Sequence, residues 1–269
     1  MVDSGVIPVS PLDLVLAASL VAALALLSLP ARLGIAKPIT IGAIRTVVQL
    51  LLVGLVLDTL FAFESPWLVG VWALVMLLVA GREVIARQSR RYRGGRGYGI
   101  GLSSMFVSSF SVTLLALVVL LEVDPWYAPR YAIPLLGMLL GNTMTGVAVA
   151  LDRLTQSAWE QRAVIEQRLM LGQPYIAATE TLRRHAMRAG LIPIANSMAA
   201  AGLVSLPGMM TGQILAGVAP FDAVKYQILV MFLIAAGTGF GTMLAVRLGT
   251  AALFDPRDRL RLDRLAGAE

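Results

Sequence analysis

Seven stretches of this 269-residue sequence are apolar, each over the length of about 20 residues that a helix needs to cross the hydrocarbon layer of a bilayer. They run over 12–29, 40–60, 67–85, 100–121, 131–151, 191–217 and 224–248. The third is short in its purely apolar part, and Pro193 and Pro207 interrupt the sixth. The first has no positive residue ahead of it, carries Asp3 and Asp13, and is long for the apolar region of a signal peptide, so it reads as a retained span. Only 14% of the chain is charged, against about a quarter in a soluble domain. The sequence therefore predicts an all-α polytopic membrane protein, a single transmembrane domain over residues 1–269. Most soluble enzymes and DNA-binding folds are excluded.

The basic residues orient the spans. Arg32 and Lys37 follow the first span. Arg82, Arg87, Arg90, Arg91, Arg93 and Arg96 follow the third, and Arg153, Arg162, Arg168, Arg183, Arg184 and Arg188 follow the fifth. Arg247, Arg257, Arg259, Arg261 and Arg264 follow the seventh. The other side holds only Arg130 and Lys225, among Asp3, Asp13, Asp58, Glu64, Glu122, Asp124 and Asp222. Cytoplasmic loops carry the Lys/Arg excess, so seven spans place the N-terminus outside and the C-terminus in the cytoplasm. Trp67, Trp126, Tyr127 and Tyr226 fall at outer interfaces, where aromatic rings anchor. The net charge of +6 is then an orientation signal, not a nucleic-acid footprint. No internal repeat is visible.

Two cytoplasmic loops stand out. The glycine- and arginine-rich segment 82–101 lacks the strand and following helix of a phosphate-binding loop and reads as a flexible connector facing anionic lipid. The segment 152–190 is too long for a mere connection. It divides into two amphipathic helices around Leu171, Gly172, Gln173 and Pro174: glycine suits the left-handed position that ends a helix, proline the first turn of the next. Ala158, Ile165 and Leu169 share a face of the first helix; Tyr175, Thr179, Leu182 and Ala186 share a face of the second, with Glu180 and Arg184 as a solvated i,i+4 pair. Gly190 closes the second helix. Such a hairpin is either an amphipathic loop resting on the bilayer or a docking element for a cytoplasmic partner.

Within the spans, Arg45 and Gln49 share a helical face, as a snorkelling anchor or an anion contact. Asn142 lies one turn from Met138, and Gln213 one turn from Met209, beside Met210; amides here bridge helices or line a pathway. Met144 adds another thioether. The spacings Gly137/Gly141, Gly208/Gly212 and Gly237/Gly241 favour close packing within the chain over dimerisation. No span carries a carboxylate at its middle, where ion-coupled carriers commonly use one. With no cysteine and the single histidine His185, thiolate metal sites, imidazole clusters and cysteine nucleophiles are ruled out, and no metal site can be assigned. Intramembrane catalysis has no nucleophile–base pair to work with.

The strings Arg45-Thr-Val-Val-Gln-Leu, Gly141-Asn-Thr-Met, Glu166-Gln-Arg-Leu-Met-Leu-Gly172 and Gly202-Leu-Val-Ser-Leu-Pro-Gly-Met-Met-Thr-Gly-Gln-Ile-Leu-Ala-Gly217, with a final Tyr226-Gln227, resemble the FetB (YbbM-like) family of ABC-transporter permeases. The match runs from about residue 12 to 250. The resemblance implies a membrane subunit, not an enzyme, that works with a separate cytoplasmic ATPase and exports iron. The hairpin is also similar in part to the coupling loop of ABC importers, keeping a glycine six positions after a glutamate (Glu166, Gly172). No Gly-x-x-x-x-Gly-Lys-Ser/Thr string is present, so ATP and Mg²⁺ belong to the partner chain and this chain needs no cofactor of its own. A homodimer of permeases is implied, with Arg45, Gln49, Met138, Asn142, Met209, Met210 and Gln213 as pathway candidates and Glu166, Leu171, Gly172, Gln173 and Pro174 as coupling candidates. A sugar, nucleotide-sugar or other metal as substrate stays open, as does an ATP-independent carrier or channel.

Overall fold

The computed structural model describes residues 9–266, so Asp3 lies outside the described residues. Among the described residues there is no β-strand, only helices and three isolated bridges. Helix α1 covers Pro11–Leu27, α2 Ala36–Phe63 and α3 Pro66–Ala86. The next rod, Arg96–Leu120, joins α4 (Arg96–Met105) and α5 (Ser111–Leu115) through π-helical turns at Phe106–Phe110 and Ala116–Leu120. Helix α6 (Pro129–Glu160) leads through α7 (Arg162–Met170) and α8 (Tyr175–Ala178) into α9 (Glu180–Ala200), followed by α10 (Gly208–Leu215) and α11 (Pro220–Ala252). Prolines start α1, α3, α6 and α11, where the missing N–H is unneeded.

Five of the seven expected spans are long and apolar enough to cross a membrane: α2, α3, the Arg96–Leu120 rod, α6 and α11. Helix α1 is apolar but only 17 residues long. The sixth expected span is not one helix. Pro193 sits inside α9 without ending it; the break falls at 201–207, where Gly202 has φ +84° and Pro207 serves as the N-cap of α10. A residue ahead of proline is pushed out of the helical region, and a left-handed glycine stops the turn before it.

Two hydrophobic cores hold the bundle. One lies at the arginine-rich end and includes Val84, Tyr92, Leu151, Leu154, Ile165, Leu182, Phe254 and Leu265; the other lies at the far end around Leu117, Leu139, Val230 and Leu233. Between them helices meet through glycine. A Cβ on Gly190 of α9 would lie 2.5 Å from the Gly146 carbonyl oxygen of α6, and one on Gly241 of α11 would lie 2.5 Å from Thr143 Cγ2. Gly190 therefore packs a helix crossing and does not close a helix as expected. Gly237/Gly241 packs within the chain, whereas Gly141, Gly208 and Gly212 face open space. Three buried hydroxyls on the Arg96–Leu120 rod bond their own carbonyls one turn back, Ser104 to Ile100, Ser108 to Ser104 and Thr113 to Ser109, which removes their need for cross-helix partners; the buried Ser109 hydroxyl has no partner among the described residues.

The segment after α3 is not the flexible connector its glycines suggest. Tyr92 is buried and its hydroxyl donates to the Gly249 carbonyl at 3.0 Å. Ser89 N–H donates to Asp152 Oδ1 at 2.7 Å, and the Arg90 guanidinium lies 4.2 Å from the centre of the Trp159 ring. Residues Arg91 and Arg93 pair through backbone hydrogen bonds with the C-terminal segment, at Ala266 and Arg264. Of its glycines, Gly97 and Gly101 are closely packed, against Tyr92 and Val84, while Gly94, Gly95 and Gly99 face open space.

Candidate functional site

Two regions hold the residues that the sequence singles out. The first is a cleft of about 600 Å³ between α2, α3 and α6, lined among others by Arg45, Gln49, Met76, Glu83, Arg87 and Met144. Arg45 Nη2 donates to Glu83 Oε1 at 2.7 Å, joining α2 to α3, with the arginine side chain 51% and the glutamate 24% exposed. Opposite charges in contact lower the penalty of holding either in an apolar environment. Glu83 is the residue that sequence reasoning misses. It is 38 positions from Arg45, beyond any helical period; its only signal is a carboxylate within the last turn of an apolar helix.

The other pathway candidates do not converge on this cleft. Asn142 is exposed and its Nδ2 donates to the Met138 carbonyl at 2.9 Å, one turn back on its own helix. Met138 and Met209 pack against the far-end core. Met210 lines a separate cleft of about 580 Å³ with Pro207, Gln227 and Met231. The side-chain oxygens of Gln213 and Gln227 are buried with no hydrogen-bond partner among the described residues. The candidates thus fall into at least two places: Arg45 and Gln49 at the α2–α3–α6 cleft, Met210 at the α10–α11 cleft.

The second region is the hairpin. Its arms continue the neighbouring helices: α6 runs unbroken to Glu160 before α7, and α8 leads into α9. At the tip Gly172 has φ +85°, its N–H donates to the Leu169 carbonyl, and Gln173 N–H donates to the Arg168 carbonyl. These two bonds form a Schellman cap, which satisfies the last carbonyls of α7. Pro174 is the N-cap of α8, one position before the first turn expected for it. Ile165, Ala178, Leu182 and Ala186 are buried, while Met170 and Leu171 are 81% and 76% exposed. Glu166, Gln173 and Pro174 are exposed as well. Glu180 and Arg184 are also exposed, and among the described residues no ion pair joins them.

The C-terminal segment braces this hairpin, a role absent from the sequence reading. It bounds a cleft of about 710 Å³ in which Glu166, Gly172, Gln173 and Pro174 face Arg257, Asp258 and Arg259. Asp258 Oδ2 accepts from Tyr175 N–H at 3.3 Å, and the Tyr175 and Phe254 rings lie 5.0 Å apart. Arg264 Nη1 donates to the carbonyls of Ala252 and Phe254, closing the end of α11, where a cation also suits the helix dipole. Asp255 accepts from the backbone N–H groups of Arg259 and Arg257, which holds its carboxyl below the usual range. The Arg261 guanidinium hydrogen-bonds Asp263 and holds its carboxyl down to about 2. Burial pushes the Tyr92 phenol up, so it stays a donor to Gly249.

Among the described residues no group of three or more His, Cys, Asp or Glu side chains is placed to hold a metal ion. A bundle of long apolar helices with a charged cleft in one flank defines a multi-pass membrane protein of the all-α class. The chain belongs to UPF0014, described as an uncharacterised protein family, whose model matches residues 11–254. It is 43% identical over 190 residues to the "UPF0014 membrane protein slr1647" of Synechocystis sp., covering 71% of this chain and 73% of that one. It is 31% identical over 260 residues to the "Probable iron export permease protein FetB" of Escherichia coli, covering 94% and 95%. A plant relative, the "UPF0014 membrane protein STAR2" of Oryza sativa, is 35% identical over 240 residues, covering 89% and 82%. No solved structure matches the chain.

Proposed function

We propose that this chain is the membrane-spanning permease subunit of an ATP-driven, ABC-type exporter that moves iron or an iron chelate out of the cytoplasm. The observation that carries the reading is the hairpin. Its arms run on from α6 and α9, its tip is capped, and its flank is braced by the C-terminal segment, so a push at the tip moves whole helices. An ATPase in the cytoplasm supplies that push, with Glu166, Leu171, Gly172, Gln173 and Pro174 as its contact and Met170 as a neighbouring apolar anchor. The name of the Escherichia coli relative supports iron and the outward direction.

In this reading α1 and the α9–α10 pair complete seven crossings in the inner membrane. The N-terminus is periplasmic, and the arginine-rich end with the C-terminus is cytoplasmic, in keeping with the Lys/Arg distribution. Arg45, Gln49 and Asn142 are exposed on helices of membrane-spanning length, a costly arrangement against lipid. A second copy of the chain covering that flank turns the cleft into a path between two subunits, while Met138, Met209, Met210 and Gln213 lie away from it. The test is copurification with a soluble ATPase: Glu166→Ala and Gly172→Leu are expected to abolish it while the permease still folds, and unchanged copurification contradicts the coupling assignment.

A further inference from the structure

The α2–α3–α6 cleft contains three formal charges, Arg45, Glu83 and Arg87. Arg45 is held by Glu83 at 2.7 Å. Arg87 is exposed and forms no ion pair among the described residues. Gln49 adds an amide to the wall, Met76 and Met144 add thioethers, and Trp72 and Leu52 complete an apolar stretch. The cleft therefore carries one positive charge in excess. A bare divalent cation entering it meets two guanidinium groups against one carboxylate and is repelled on balance. Two arginines and an amide are instead the groups that bind carboxylate or phosphate oxygens, through forked N–H donors. Glu83 already occupies Arg45 as the carboxylate of a ligand does.

We propose that this cleft receives an oxyanion, a carboxylate- or phosphate-bearing ligand such as a negatively charged metal chelate, and that Glu83 is the internal counter-ion which the ligand displaces from Arg45. In the empty cleft Glu83 neutralises Arg45 and spares it the penalty of an unpaired charge beside lipid. An entering ligand puts its own oxygens on Arg45, with Arg87 and Gln49 as further donors, and Glu83, which is partly exposed, turns to water. When the ligand leaves, the pair re-forms. A built-in competitor lowers apparent affinity by the fraction of arginine it holds, which suits a site that must release what it binds. The role in transport rests on the permease reading; the binding itself does not.

The test is isothermal titration of the full chain in nanodiscs of neutral lipid with citrate, with ferric citrate and with Fe²⁺ alone under reducing, anaerobic conditions. Glu83→Gln is expected to bind citrate and ferric citrate about fivefold more tightly than the unmodified chain, the factor that a partly exposed ion pair carries. Arg45→Gln is expected to lose that binding. The double variant Arg45→Gln/Glu83→Gln removes one charge of each sign, so the cleft keeps its single excess positive charge, from Arg87, and its hydrogen-bonding groups; it is expected to fold, as read by circular dichroism, and not to bind. The opposite signs overturn the proposal: Fe²⁺ bound by the unmodified chain, strengthened in Arg45→Gln and lost in Glu83→Gln, makes Glu83 a cation ligand. Absence of oxyanion binding in both the unmodified chain and Glu83→Gln also overturns it. A second set of nanodiscs with anionic lipid separates a soluble ligand from a headgroup, since loss of citrate binding there assigns the site to lipid phosphate and overturns the soluble ligand. Oxyanion binding without any ATP-dependent flux upholds the cleft and sinks the permease reading; flux with the reversed signs does the converse.

Discussion

Gly190→Ala puts one methyl group into one of the closest helix crossings among the described residues. Its Cβ would lie 2.5 Å from the Gly146 carbonyl oxygen and 2.9 Å from both Ala150 Cβ and Thr242 Cγ2. A comfortable carbon–oxygen approach is about 3.3 Å, so α6 and α9 must separate by roughly 0.8 Å at this point. The opposing backbone cannot swing aside as a flexible side chain can. Forcing an extra carbon into a packed interior costs about 1–3 kcal/mol, and alanine returns at most about 1 kcal/mol of helix propensity. The net effect is a loss of roughly 1–2 kcal/mol, about 2–6 °C in melting temperature for a chain of this size. The assay is thermal unfolding in detergent followed by circular dichroism, with Gly212→Ala as the control, because a Cβ there meets nothing within 4 Å. Gly212→Ala is expected to be neutral or to stabilise by up to about 1 kcal/mol. If Gly190→Ala melts at or above the temperature of Gly212→Ala, the close crossing and the reasoning from it are wrong.

Three further outcomes follow from the same geometry. Thr238 is 2% exposed and its hydroxyl has no hydrogen-bond partner among the described residues, so Thr238→Val is expected to raise stability by about 1 kcal/mol in the same melt. Gly172→Ala places a Cβ on a residue with φ +85°; a loss of about 1 kcal/mol is expected, read as faster hydrogen exchange confined to the hairpin tip. Acid is expected to loosen the turns of the C-terminal segment, because the partners of Asp255 and Asp263 all lie within it. The Asp255 and Asp263 carboxyls are depressed in the folded chain, Asp263 to about 2. Their contribution is therefore present above the ordinary carboxylate range and lost as pH falls from about 4 toward 2. Because the chain has no cysteine, a spin label at Leu262→Cys reports this as a gain in mobility in that window; mobility constant down to pH 2 contradicts it.

The sequence makes most of the span pattern legible because apolar runs of helical length leave few alternatives. Its errors share a cause, which is tertiary context. Pro193 looks like a break yet lies inside α9, while the true break at 201–207 needs Gly202 and Pro207 together. The glycines after α3 read as flexibility until Tyr92 is buried against Gly249 and the C-terminal segment pairs with Arg91 and Arg93. Gly172 was open to local reasoning, since its left-handed turn depends on four neighbouring residues. Gly190 was not, since its reason lies in Gly146 on another helix. Likewise Arg45 is visible as a charge in an apolar run, but Glu83 acquires meaning only when α2 and α3 are side by side. The brace from Asp258 and Phe254 to Tyr175 of the hairpin joins segments with no shared periodicity.

The most direct test of the central claim is flux in proteoliposomes containing this chain with its cognate ATPase, oriented so that ATP reaches the arginine-rich end. Iron is expected to move to the opposite side only with ATP and both proteins present, and the movement is expected to be lost in Glu166→Ala although the chain remains folded. Iron movement by the chain alone, without ATP or ATPase, contradicts it.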